Sequence, residues 1–163
     1  MNEAIASIDV SIPAQTLTLL TGGSVAQTYS VSTASNGPGQ QLGSECTPVG
    51  RHIIRACIGD GAPLNTVFVG RRPTGEIYSQ RLGRQQPDRD WILTRILWLS
   101  GVQPGLNRLG SVDTMRRYIY IHGTPYEAQL GTPVSRGCIR MRSTDIIELF
   151  RQAPAGTPVN IHN

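Results

Sequence analysis

Apolar and polar residues trade places one by one along the first part of the chain. Ile8, Val10 and Ile12 alternate with Asp9 and Ser11, and Thr16-Leu17-Thr18-Leu19 resumes the pattern after Pro13-Ala14-Gln15. A side-chain period of two sends every second residue to one face of an extended backbone, so both segments read as strands joined in a hairpin. Gly22-Gly23 turns the chain into a third strand, Val25 to Ser32, and Arg51 to Ile58 gives another. On that strand, alternation places Ile54, Ala56 and Ile58 on one face with His52, and Cys57 on the other with Arg51 and Arg55. Thr66 to Val69, Tyr118 to Ile121, the short Gly137 to Met141 and Pro158 to Ile161 continue the β pattern. The 18 Gly and 11 Pro supply the turns that many short strands require.

Two stretches read as helices. Asp90 is placed to cap one from Trp91 to about Leu99, with apolar residues at 92, 93, 96, 97 and 99, Thr94 and Arg95 off the stripe, and Gly101 as its stop. Ser143 is placed to cap the other, Thr144 to about Ala153, which buries Ile146, Ile147, Leu149 and Phe150 before Pro154 ends it. Trp91 and Trp98 read as packing residues. The stretch from Gly75 to Asp90 reads as exposed and irregular, and Gly75 to Gly110 is positioned to fold over a cleft as a lid. Residues 1–163 therefore read as one mainly-β domain, a sandwich or flattened barrel with two or so short helices against it.

Composition narrows the chemistry. All 15 basic residues are Arg, which excludes a P-loop lysine, a Schiff-base lysine and a lysine general base. They outnumber 11 acids, for a net charge of +4. With no basic block and only two Phe to stack on bases, the excess suits a small carboxylate-bearing substrate better than nucleic acid, because the guanidinium fork matches a carboxylate. Three Cys, at 46, 57 and 138, are an odd number for a disulfide framework and lack the close pairs of a zinc site, so free thiols in a reducing compartment are expected, with no metal or cofactor. No apolar run approaches membrane-spanning length. Met1 to Ser7 lacks a basic region and an apolar core, so the chain as written is expected in the cytoplasm; a removed leader would place it in the periplasm.

Cys138 lies in Ser135-Arg136-Gly137-Cys138-Ile139-Arg140, flanked by Gly and Arg where a packing cysteine has apolar neighbours. Nearby positive charge favours its thiolate. Gly137 permits a tight turn that aims successive N–H groups at one spot, the geometry of an oxyanion hole. His122, at the end of a strand on the face of Tyr118 and Tyr120, is the base that such a thiol needs. His52 and His162 have no comparable partner and read as structural or exposed; Cys46 and Cys57 read as packing residues.

Tyr118 to Pro125 (YIYIHGTP), Ser135 to Met141 (SRGCIRM), Thr47-Pro48-Val49-Gly50 and Gly156-Thr157-Pro158-Val159 together resemble the L,D-transpeptidase catalytic-domain family, over about Ala6 to Ile161. The resemblance implies a β-sandwich-like domain that acts on peptidoglycan stem peptides, at the bond between the L-centre of a diamino acid and D-Ala. It makes Cys138 the nucleophile and His122 the base, oriented by the carbonyl of Gly123. The N–H groups of Arg136, Gly137 and Cys138 would hold the oxyanion, Ser135 would brace the loop, and Arg140, Ser135, Tyr120 and Thr124 would bind substrate. Many members carry His where Arg136 stands, so that side chain departs from the pattern. Arg95, Arg108, Arg116 and Arg117 are further candidates for substrate carboxylates. An acyl-enzyme can pass to water, giving an L,D-carboxypeptidase that trims tetrapeptide to tripeptide in recycling. It can also pass to an amine, giving a cross-linking transpeptidase. From location, hydrolysis is expected. A non-catalytic binder of peptidoglycan or of a protein is the reading from another class.

Overall fold

The computed structural model describes residues 5–163. Ten strands form one sheet: β1 (Ala6–Ser11), β2 (Thr16–Thr21), β3 (Ser24–Ser32), β4 (Gly50–Ile58), β5 (Thr66–Val69), β6 (Arg72–Ile77), β7 (Ile92–Gly101), β8 (Tyr120–Thr124), β9 (Ile139–Arg142) and β10 (Pro158–His162). Their order is β4-β10-β1-β2-β3-β9-β8-β7-β5-β6, and β4 also pairs with β7. That pairing closes the sheet into a flattened barrel and leaves the β5–β6 hairpin outside, attached to β7 through β5. Closure satisfies backbone groups that would otherwise be open sheet edges. The helices are α1 (Gln80–Gln85) and α2 (Ser143–Gln152).

The alternation seen in β1 and β2 becomes the barrel core. Val10, Leu17 and Leu19 pack with Val31, Ile54, Leu97, Leu99, Ile121, Ile139 and Met141, all fully buried. Ile146 and Leu149 of α2, and Ala153 just past its end, join them, a helical spacing that lays one face of α2 on the sheet. Truncating such a residue to Ala costs about 2–5 kcal/mol.

Residues 92–101 form strand β7, not a helix. Its apolar run is long because both faces are covered. Leu97 and Leu99 face the barrel core, whereas Ile92, Ile96 and Trp98 pack around Phe68 and Tyr120 on the other side. Its phase is also reset by a bulge: Leu93 pairs with Gly123 and Ile96 with His122, leaving Thr94 and Arg95 between them. A doubly covered, bulged strand has neither strict alternation nor a polar face, and so imitates a buried helix. Asp90 consequently caps nothing. The stretch from Gly75 to Gly110 cannot swing as a lid, since β7 is a barrel strand and Trp91 is buried against Val67 and Leu93.

Other boundaries move for local reasons. A bulge at Arg55 shifts β4, so Cys57 pairs with Leu97 and packs on the barrel core, and Ile58 packs on the Phe68 side. The irregular stretch holds the end of β6 and α1, which Ser79 caps by accepting from the Leu82 N–H at 3.1 Å. Ser143 is the first residue of α2, not its cap; its Oγ accepts from the Thr94 hydroxyl at 2.7 Å. Tyr118 stands outside β8 with φ +56°. Among the described residues, no helix is long and apolar enough to cross a membrane.

His52 is buried in β4. Its Nδ1 donates to the Gly50 carbonyl at 3.0 Å and its Nε2 accepts from the Thr114 hydroxyl at 2.9 Å. Burial disfavours the imidazolium and lowers the pKa from 6.5 to about 4. Between those values the unfolded chain binds the proton and the folded protein does not, so stability falls as pH drops through this window. Urea unfolding should show a loss of up to about 1.4 kcal/mol per pH unit from this group, a slope that His52→Gln removes.

Candidate active site

The site is built on the parallel pair β8–β9, where Ile121 pairs with Ile139 and His122 with Arg140. Paired residues share a face and successive residues alternate. Ile121, Ile139 and Met141 therefore enter the core, while Tyr120, His122, Cys138 and Arg140 turn toward a cavity of about 550 Å³. The cavity also receives Arg71 from the β5–β6 turn, Asp90 from before β7, and Arg117 and Arg136.

His122 is 1% exposed, and its Nδ1 lies 2.7 Å from the Gly123 carbonyl. A carbonyl only accepts, so the proton sits on Nδ1 and the lone pair on Nε2. Gly123 is required by close packing: a Cβ there would lie 2.6 Å from the Leu93 carbonyl oxygen and 2.8 Å from Ser143 Oγ. Those two atoms are held by the β7 bulge, where Thr94 takes φ +77° and bonds Ser143. A β-branched residue in that region stores strain of about 1–3 kcal/mol.

The Cys138 sulfur accepts the Tyr120 backbone N–H at 3.3 Å, and its thiol donates to the Tyr118 carbonyl at 3.5 Å. Ser135 clamps the turn before it. Its buried hydroxyl donates to the Cys138 carbonyl at 2.6 Å and accepts from the Gly137 N–H at 3.2 Å. Gly137 has φ +131°, and a Cβ would press on the Cys46 carbonyl oxygen and Ile119, each 3.2 Å away. Thr47, from the Thr47-Pro48-Val49-Gly50 segment, donates to the Gly137 carbonyl at 2.9 Å. The turn is thus fixed from both sides.

The electrostatics differ from the expected thiolate. Burial dominates and pushes the Cys138 thiol up to about 12; Asp90 adds to this, while the Tyr120 N–H, Arg140 and Arg117 oppose it. Burial also lowers the His122 pKa, against the pull of its bond to Gly123. Both shifts favour the uncharged forms, a thiol and a neutral imidazole. Among the described residues, no group of three His, Cys, Asp or Glu is arranged to hold a metal.

A nucleophile-grade turn and an oriented imidazole opening into one cavity invite comparison with known proteins. The YkuD model, described as the L,D-transpeptidase catalytic domain, matches residues 6–161. The chain belongs to the L,D-transpeptidase catalytic-domain family. The probable L,D-transpeptidase YcfS of Escherichia coli (strain K12) is 51% identical over 43 residues, 26% of this chain and 13% of that protein. L,D-transpeptidase 3 from Mycobacterium tuberculosis, solved with a faropenem-derived adduct, superposes with a TM-score of 0.61 at 17% identity, over 98% of this chain and 61% of that one. An L,D-transpeptidase from Mycobacterium smegmatis gives 0.59 at 18%, over 98% and 59%. These structures show a common fold. The chain spans about three fifths of the solved proteins' length and less than a third of the curated ones'.

Within this L,D-transpeptidase domain the sequence-named residues divide. Cys138, His122, Ser135, Arg136, Tyr120 and Arg140 line the cavity, and the Gly123 carbonyl orients His122. The Gly137 N–H is already engaged by Ser135, so it is not a free oxyanion donor. Thr124 is buried and does not line the cavity; its hydroxyl accepts from the Tyr126 N–H at 3.3 Å, a local turn bond. Arg95 is buried against the Ala62 and Thr94 carbonyls, away from the site, and Arg108 and Arg116 are exposed outside it. Arg117 reaches the cavity but spends its guanidinium on the Gly39 and Cys46 carbonyls and Ser44 Oγ. Arg140 pairs with Asp90 at 3.2 Å. Arg71, Asp90 and Ile92 are site residues that alternation and motif spacing did not reveal, because only the β5–β7 and β7–β8 pairings bring those segments beside β8; Ile119 also lines the cavity.

Two measurements test this geometry. Alkylation of Cys138 by iodoacetamide, followed by peptide mass spectrometry, should be slow at neutral pH and rise about tenfold per pH unit beyond pH 9. A plateau near neutrality would mean a resting thiolate. Gly123→Ala should destabilise the domain by about 1–3 kcal/mol in urea unfolding, since the bulge cannot retreat from the new Cβ.

Proposed function

We propose that this domain performs acyl transfer on peptidoglycan stem peptides through Cys138, at the bond between the L-centre of the diamino acid and D-Ala. The observation that carries this reading is the shared cavity of Cys138 and His122, with the His122 proton held on Nδ1 by Gly123 so that Nε2 is basic. Cys138 attacks the scissile carbonyl while its proton passes to His122 Nε2. The negative oxygen lies against the backbone N–H groups at Arg136 and Cys138. Collapse breaks the C–N bond, D-Ala leaves with the proton from His122, and a thioester remains on Cys138. Starting from a neutral pair suits a buried site, since no charge is isolated until the carbonyl arrives to share it.

We assign water as the acceptor, which makes the domain an L,D-carboxypeptidase converting tetrapeptide to tripeptide. What supports this is that His122 Nε2 belongs to a residue lining the cavity and can take the proton of a water there as it took that of the thiol. Soluble muropeptides in the cytoplasm are the substrate pool in this proposal, and the three free thiols suit a reducing compartment.

Disaccharide-tetrapeptide should give tripeptide and free D-Ala on chromatography, and His122→Gln should slow this by about 100- to 10,000-fold. Imipenem should leave a mass adduct on the protein but not on Cys138→Ala. Dimers as the main product would replace hydrolysis by cross-linking. Folded protein that gives no product and no adduct would refute acyl transfer.

A further inference from the structure

We propose that Arg71 is the residue that anchors a substrate carboxylate in this cavity. This deepens the acyl-transfer reading and rests on it for the identity of the substrate. Arg71 sits in the two-residue turn Gly70-Arg71 joining β5 to β6, where both residues have positive φ, +56° and +64°. Such a turn matches the twist of a tight hairpin, but Gly, Asn and Asp are the residues that adopt it readily. An arginine held there, at the tip of the one hairpin outside the barrel, points to a use for its side chain.

The guanidinium is fixed in place. Its Cζ lies 4.4 Å from the Trp98 ring centroid and 5.2 Å from that of Tyr118, and one nitrogen donates to the Tyr120 hydroxyl at 3.0 Å. Trp98 is itself anchored by its indole N–H on the Met115 carbonyl at 3.2 Å. Aromatic contact immobilises the planar group without neutralising it. Among the described residues no carboxylate pairs with Arg71. That separates it from the other cavity arginines. Arg140 is paired with Asp90, Arg117 is committed to backbone carbonyls, and Arg136 is an exposed side chain on the rim. Arg71 is therefore the cavity cation that is both preorganised and uncompensated, with most of its five donors unspent.

Its position relative to the sulfur is set by one residue. The Tyr120 hydroxyl meets Arg71, while the Tyr120 backbone N–H meets Cys138 Sγ. A peptide whose scissile carbonyl lies at the sulfur can thus extend one tyrosine's length and place a carboxylate on the guanidinium. Two carboxylates of a stem peptide belong to the residues that flank the scissile bond: the C-terminal carboxylate of the leaving residue, and the second carboxylate on the side chain of a dicarboxylic diamino acid.

The test is calorimetric binding to Cys138→Ala protein, which cannot turn over, with and without Arg71→Gln. The probes are tetrapeptide with meso-diaminopimelate, its C-terminal amide, and the L-lysine analogue. Arg71→Gln should weaken the first probe by about tenfold or more. On the analogue that lacks the recognised carboxylate it should have no further effect, which identifies the source. Arg71→Lys should restore only part of the loss, because an ammonium cannot form the fork. Arg72→Gln, an exposed neighbour outside the cavity, controls for charge alone. Equal losses on all three probes, or none, would overturn the proposal. Turnover by the protein with Cys138 intact is measured in parallel: peptides that bind in an Arg71-dependent way without being cleaved would refute acyl transfer and leave the anchor standing.

Discussion

Parallel pairing of β8 with β9 is the constraint from which the site follows. Parallel neighbours require a crossover between them, and the segment from Pro125 to Cys138 provides it, delivering Cys138 to the start of β9 beside Tyr120. With that register, His122, Arg140 and Cys138 share a face, and Ile121, Ile139 and Met141 lock the opposite face into the core. A slip of one residue would exchange the two sets, so the hydrophobic core itself holds the cysteine and the histidine on the cavity side.

Burial then determines the character of the pair. Taken by themselves, the arginines around Cys138 favour a thiolate, and two of them do pull in that direction. Desolvation is the larger effect for both partners and favours the uncharged form of each. In the proposed reading the arginine excess acts instead on what enters the cavity. Asp90 tempers it at Arg140, carbonyls absorb Arg117, and the aromatic platform leaves Arg71 unspent. Fixed positive charge in a partly dry pocket selects anions more than it activates sulfur.

Much of the molecule was legible in its residues. The strands with one covered face, β1 and β2, show strict alternation and were found near their true limits. Strand β7 was not, because Leu93 to Leu99 is covered on both faces and bulged at Thr94, which erases the period that marks a strand. The same bulge explains why Thr94 and Ser143 looked unrelated to the site although they pack behind Gly123. Cys138, His122, Gly123 and Ser135 were visible because they lie in two short segments with distinctive neighbours. Thr124 shares the strand of His122, yet it is spent on a turn, a fate no spacing discloses.

What the linear order determined was local. It carried the alternation that makes strands, the turn-forming glycines, and the pairing of a histidine-glycine step with a glycine-cysteine step. What only the closed barrel decided was who meets whom. Arg71 reaches the cavity because β5 docks on β7 and β7 on β8, contacts between segments remote in sequence. Whether a cysteine is charged depends on how much water such contacts exclude, and solvent exclusion is a property of the assembled chain.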